Sequence, residues 1–398
     1  MSNILEPIVM SQKMANLPPY PFAEIDALRD RRVAEGADVI DFGVGDPVDP
    51  VPFNVVAKTI EGLIQHRTSG YPSYVGNKEF RVGAAAWLKR RFGVTLDPET
   101  EITSAVGSKE AIFHVAGAFV DPGDFVAVPS PGYPPYTAGA KWADAEVIYY
   151  PVRSSGSILP DLTELAEQCG DRLRMVWVTQ PHVPTGRIAQ ADEIKVFMQQ
   201  AHERNILVCS DEAYCELWME APPTSFLEAS ETHVLAFHSL SKQSSMTGYR
   251  VGFVSGNASA TLAFRRLKMT IDSGVPQFIQ QGALAALLDD GPAEKARENY
   301  RIKADLLVDA LRAVGCCVDF PEAGFYLWAK APGGSTGIEF SRRLLEEEPA
   351  LVTMPGEWLA DPLPGRDTHP GSSRVRFALV PPNDRCQEAA MRIRKWKA

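Results

Sequence analysis

A chain of 398 residues exceeds the usual limit of one hydrophobic core and implies two domains. Its 45% hydrophobic content marks it as globular, and a net charge of -10 with a pI near 5.3 excludes electrostatic partnership with nucleic acid or an anionic membrane surface. No apolar run reaches membrane-spanning length, the first residues lack a signal-peptide pattern, and six cysteines without a C-x-x-C pair read as reduced thiols of a cytoplasmic protein, with no disulfide and no metal site.

The segment Leu17-Pro18-Pro19-Tyr20-Pro21 cannot be helical, so residues 1–20 are expected to form an extended arm lying across a partner subunit. Residues 22–35 read as an amphipathic helix with Ile25, Leu28 and Val33 on one side. A short strand over 39–42 then runs into a turn at Gly43 and Gly45, which on its own is simple turn geometry. A polar loop carrying Tyr71 as an aromatic anchor leads to a helix over 78–92. Next come a strand from Ile102, a turn at Gly107, and a helix that opens on Ser108 and Lys109 and continues through 111–120. Free backbone N–H groups, a hydroxyl and a cation converge there, which makes an anion site; an N-cap serine beside a surface lysine is the plainer alternative.

Apolar runs at 125–128, 147–150, 175–178 and 206–209, mostly separated by helical stretches, predict an α/β fold with a mainly parallel sheet, helices on both faces and ligands at the strands' carboxyl ends. After the first of these comes the rigid turn from Pro129 through Tyr133 to Tyr136. After the last comes Asp211, a carboxylate at the end of a buried strand, which either pairs with a cation or caps a helix. Two more buried strands, 234–237 and 251–254, flank a hydroxyl-rich connection holding Lys242 and Arg250. A lysine near apolar strand ends and a second cation has its ammonium form disfavoured, so its amine becomes a nucleophile for carbonyls: Schiff-base chemistry.

Helices are predicted over 258–271, 275–288 and 292–314, the last bridging two domains. Strands at 317–320, 325–329 and 374–379 complete a smaller α+β domain, with 354–373 as a loop. Arg374 and Arg376 lie two apart on the final strand and share a face, so at least one can point into a site.

The string from Ser239 and Lys242 through Met246-Thr247-Gly248 to Arg250 resembles the S-x-S-K-x-x-x-M-T-G-x-R segment of class I/II aminotransferases, fold type I enzymes that use pyridoxal 5'-phosphate (PLP). The strings GYPSYVG, VGSKEAI and SPGYPPY extend the resemblance from about residue 20 onward, and look most like the LL-diaminopimelate aminotransferase branch. The resemblance implies a mostly parallel seven-stranded sheet in a large domain over 51–289, with 21–50 and 290–398 forming the small domain from both termini. It implies that Lys242 carries PLP and moves the proton, and that Ser108, Lys109, Ser239 and Arg250 hold its phosphate together with Tyr71 from the other subunit of a homodimer with shared active sites. Tyr133 would stack on the cofactor ring, Asp211 would pair with its nitrogen, and Tyr214 would bond its phenolic oxygen. Gly45 and Arg374, the latter by matching Arg374-Val375-Arg376-Phe377-Ala378 to R-x-S-F-A, would bind the substrate carboxylate, leaving Arg376 to a surface ion pair.

The partners implied are a small-molecule amino acid, with LL-diaminopimelate, aspartate or alanine as candidate donors, and a 2-oxo acid such as 2-oxoglutarate. One departure stands out. The family pattern P-x-N-P-T-G reads Pro181-His182-Val183-Pro184-Thr185-Gly186 here, so a valine replaces the asparagine that bonds the phenolic oxygen. His182, Gln180 or Tyr214 alone must serve instead. A PLP-dependent β-lyase or oxidase of the same fold, or a non-catalytic binding protein, are the competing readings.

Overall fold

The computed structural model describes residues 8–15, 23–68, 70–152, 156–230 and 232–396; the expected arm segment at 17–21 and the start of the first predicted helix lie outside them. Twelve strands are described. They are β1 (Ile40–Asp41), β2 (Ile102–Ala105), β3 (Phe125–Ser130), β4 (Glu146–Pro151), β5 (Leu173–Thr179) and β6 (Leu207–Asp211), then β7 (Val234–Ser239), β8 (Gly252–Gly256), β9 (Tyr326–Lys330), β10 (Leu351–Val352), β11 (Met354–Pro355) and β12 (Arg374–Ala378).

Seven of them form one sheet in the order β2-β8-β7-β6-β5-β3-β4, in which only β8 runs against its neighbours. This is the mostly parallel, seven-stranded α/β sheet expected for fold type I. Both faces are covered, and the side-chain alternation of a strand decides which residue goes where. On β5, Met175 and Trp177 pack with Ile112, Tyr136 and Phe264, whereas Val176 and Val178 pack with Trp87, Ile194 and Phe253 on the opposite face.

A third apolar cluster joins Ile40 and Phe42 to Leu307, Phe325, Phe377 and Ile393, so residues near the start of the chain share a core with its end. There β11, β12 and β9 form an antiparallel sheet and β1 pairs in parallel with β10. The strand predicted over 317–320 is reduced to a single bridge between Cys317 and Lys330, and the 354–373 loop contains β11 and a 3-10 turn at Gly356–Leu359. The helix predicted through 111–120 is α-helical only over Ser108–His114 and tightens to 3-10 over Val115–Ala118, where Gly117 weakens the α form. All six cysteines are free. Among the described residues no helix is long and apolar enough to cross a membrane.

Candidate active site

Parallel strands end together, and β8 begins where they end, so the turns after β2, β3, β5, β6 and β7 and the residues entering β8 meet at one edge of the sheet. That edge gathers Ser108, Tyr133, Asp211, Ser239, Lys242 and Arg250, which lie far apart in the chain.

Lys242 sits on the single helical turn Leu240–Gln243, held by the Ser239 hydroxyl, which accepts from the Ser241 amide at 3.2 Å. Its ammonium donates to the Gly45 carbonyl at 2.6 Å and lies 5.7 Å from the Phe325 ring centre. Burial lowers its pKa to about 8, and the nearby Arg376 and Arg250 act in the same direction while Asp46 and Asp211 oppose. The strand-end placement expected from the apolar runs thus yields the weakened ammonium.

Asp211, at the end of β6, is 6% exposed. Tyr136 donates to one carboxylate oxygen at 2.7 Å and the Ala213 amide to the other at 3.1 Å, while burial still raises the pKa above the usual carboxylate range. The Tyr136 ring stacks on Trp177 at 4.5 Å and so has no freedom to leave. The neighbouring Glu212 takes the opposite path: it is buried and accepts from Ser210, Ser225 and the Phe226 amide, which pins the turn that follows.

Across the edge, Arg250 adopts a left-handed conformation (φ 54) and donates to the Thr247 carbonyl at 2.7 Å. Its guanidinium lies so close to Gly107 that any Cβ there would overlap it. Arg250 and the backbone turn at Gly107 and Ser108 therefore form one cationic cradle, with Gly107 at φ 73. The following helix is anchored from behind by buried Lys268, which pairs with Glu110 at 2.8 Å. Lys109 is exposed on the same turn. Tyr133, 38% exposed, meets Tyr136 edge-on at 5.7 Å, and burial raises its phenol above the ordinary range. Tyr71 is 91% exposed on its loop and stands apart from this group.

The two arginines of β12 have different surroundings. Arg376 donates to the Gly43 carbonyl at 2.6 Å, lies 4.6 Å over the Tyr326 ring, and keeps a buried Nε with no partner. It also lowers the Lys242 pKa, which places it in the cleft and overturns the surface ion pair. Arg374 sits two residues, roughly 6.6 Å, farther from the cleft, opposite Lys330, with only a long 3.5 Å contact to the Trp328 carbonyl. The substrate carboxylate is expected at Arg374, but of the two arginines it is Arg376 that reaches the Gly43 turn beside Lys242.

The substitutes considered for the missing asparagine also narrow. Gln180 donates to the Ala189 and Thr224 carbonyls and accepts from the Ala189 amide, and buried His182 contacts Thr185 Oγ1 at 2.8 Å and the Pro131 carbonyl at 3.2 Å. Burial pushes the His182 imidazole down to about 4. Both side chains brace loops. Tyr214 remains, with its hydroxyl 2.9 Å from that of Tyr326.

Sequence reasoning missed Tyr136, Tyr326 and the position of Arg376. The second tyrosine of SPGYPPY was a signal for the first; Tyr326 lies in an ordinary alternating strand and gave none. Among the described residues no group of three or more His, Cys, Asp or Glu could hold a metal.

These residues fit PLP. A buried carboxylate, a cationic cradle that a single Cβ would fill, and a lysine with a weakened ammonium surround one cleft. Residues 37–393 match the family Aminotransferase class I and II. The LL-diaminopimelate aminotransferase of Aquifex aeolicus is 37% identical over 97% of this chain and 99% of its own, and that of Desulforudis audaxviator is 38% identical over 97% of each. Among solved structures, substrate-bound BacF from Bacillus subtilis superposes with a TM-score of 0.90 at 27% identity, covering 98% of each chain. Aspartate aminotransferase from Thermotoga maritima gives 0.87 at 26% identity, covering 97% of this chain and 99% of that one.

Proposed function

The chain belongs to the class I and II aminotransferases and is a PLP-dependent transaminase acting on small molecules, and we propose that LL-diaminopimelate is its amino donor and a 2-oxo acid such as 2-oxoglutarate its acceptor. The observation that carries this is the near full-length likeness to enzymes named for that donor, at 36–38% identity in four of them.

PLP supplies an electron sink for the carbanion at the substrate Cα. In our reading the chain supplies everything else. Asp211, kept in place by Tyr136, holds a proton at the pyridine nitrogen. Ser108, Lys109, Ser239 and Arg250 fix the phosphate, and Tyr133 covers the ring. Lys242 would hold the cofactor through its carbonyl carbon and, once the substrate's amino group has displaced its amine there, would carry the proton between the substrate Cα and that carbon, two bonds away. A pKa near 8 suits that two-way transfer at neutral pH. Arg376, with its unpartnered Nε, orients the substrate carboxylate against the backbone between Gly43 and Gly45.

We further infer a cytoplasmic homodimer with shared sites. Support comes from the exposed Tyr71, from the exposed apolar side chains Phe53, Ile60, Leu63 and Ile64 along one helix, and from six free thiols suited to a reducing compartment.

The donor is tested by mixing PLP-loaded protein with LL-diaminopimelate, aspartate, alanine or glutamate in turn and identifying the oxo acid released by mass spectrometry. Rapid oxo-acid formation from LL-diaminopimelate, with amino transfer to added 2-oxoglutarate, supports the assignment. Faster turnover of another donor reassigns it, and ammonia or thiol release in place of amino transfer points to lyase chemistry.

A further inference from the structure

We propose that Tyr326 is a positioning residue: its hydroxyl passes a hydrogen bond through Tyr214 to the phenolic oxygen of bound PLP, strengthening the one donor left where Val183 offers none. This rests on the PLP reading of the cleft.

Tyr326 is 4% exposed on β9, and its hydroxyl is fixed from several sides. It lies 2.9 Å from the Tyr214 hydroxyl, and it occupies the space that a Cβ at residue 45 would need, so only glycine fits there. The same Gly45 receives the Lys242 ammonium. The Arg376 guanidinium rests 4.6 Å over the Tyr326 ring. A cation at that distance makes the phenol a better donor.

Nothing on the Gln180–Thr185 side competes. Val183 packs as an apolar side chain against the same core cluster as Tyr214, while Gln180 and His182 are spent on backbone carbonyls and Thr185. A hydroxyl that accepts one hydrogen bond donates its own proton more strongly. When Tyr326 donates to Tyr214, the Tyr214 proton is free for an anionic oxygen in the cleft. The charged groups that face the pair are Asp211 from β6, Arg376 from β12 and Lys242 after β7, with Asp46 and Arg250 acting on Lys242; Tyr133 adds a neutral phenol after β3.

Removing a donor from an anionic oxygen makes the bound chromophore hold its proton to higher pH. The experiment is an absorbance titration of PLP-loaded wild type, Tyr326→Phe, Tyr214→Phe and the double variant, with PLP dissociation constants and thermal melts measured alongside. Tyr326→Phe is expected to raise the spectroscopic midpoint by about half to one pH unit, the scale of one hydrogen bond, with little change in PLP affinity. Tyr214→Phe should raise it further, and the double variant should match Tyr214→Phe alone because Tyr326 acts through Tyr214. Adding Val183→Asn to Tyr326→Phe should bring the midpoint back down.

A Tyr326→Phe titration superimposable on wild type overturns the proposal, as does a double variant whose shift is the sum of the two singles. Lys242→Ala separates this from the underlying reading: if that variant keeps the wild-type visible band, the cofactor assignment itself fails whatever Tyr326 does.

Discussion

The Lys242 ammonium and the Gly45 carbonyl lie 2.6 Å apart although 197 residues separate them in the chain. The contact ties the turn after β1, which packs with the C-terminal strands, to the turn after β7 of the large sheet. A substrate lying between Arg376 and Lys242 is therefore held by both parts of the molecule, and its binding and the proton transfer depend on the same contacts.

Arg376 and Arg374 should separate cleanly in kinetics. Removing a guanidinium that pairs with a carboxylate costs roughly 3 kcal/mol, about 100-fold in kcat/KM. Arg376→Ala should show that loss for every amino donor, whereas Arg374→Ala should stay within about threefold, the effect expected of a side chain away from the cleft. Equal losses would restore the sequence-based assignment of Arg374.

Lys242 should destabilise the cofactor-free protein at neutral pH. Its folded pKa, near 8, lies below the ordinary 10.5, so between those values the unfolded chain binds more protons and stability rises with pH. The penalty is fully present below pH 8 and is gone above about 10.5. Apo Lys242→Met should melt above apo wild type at pH 7, and the gap should close as pH approaches 10.5. A gap that stays constant from pH 7 to 10.5 contradicts the lowered pKa.

Tyr136 should matter through Asp211. Tyr136→Phe removes the 2.7 Å donor from a buried carboxylate, at a cost of about 1–3 kcal/mol, and lets Asp211 protonate more readily. PLP retention should fall roughly 10-fold, measured by dialysis against phosphate, and Asp211→Asn should produce a larger loss that Tyr136→Phe no longer deepens. Unchanged retention in Tyr136→Phe would show that Asp211 needs no such support.

Val183→Asn alone should lower the pH at which the bound cofactor's absorption changes, because the carboxamide adds a donor to the phenolic oxygen. Together with Tyr326→Phe this brackets the wild type from both sides. An unchanged midpoint in Val183→Asn would mean that residue 183 does not face the cofactor.

Much of this was legible in the sequence, for identifiable reasons. Val- and Ile-rich runs locate the buried parallel strands, because a strand covered on both faces has no polar side to confuse its pattern. Asp211 and Lys242 follow from the cost of burying a charge beside apolar residues. Which of the two arginines enters the cleft was not legible, because residues i and i+2 share a strand face and only the folded chain brings Arg376 to the Gly43 carbonyl. Tyr326 was invisible since its neighbours Gly45 and Tyr214 come from distant segments, and a tyrosine in an alternating strand looks like core.

The central claim is that Lys242 holds PLP, and reductive trapping tests it most directly. PLP-loaded protein is reduced with borohydride, digested, and its peptides are mapped by mass spectrometry. The account predicts a stable pyridoxyl-phosphate adduct on Lys242 alone, absent from Lys242→Ala. An adduct on a different lysine, or none on a protein that still binds PLP and transaminates, would contradict it.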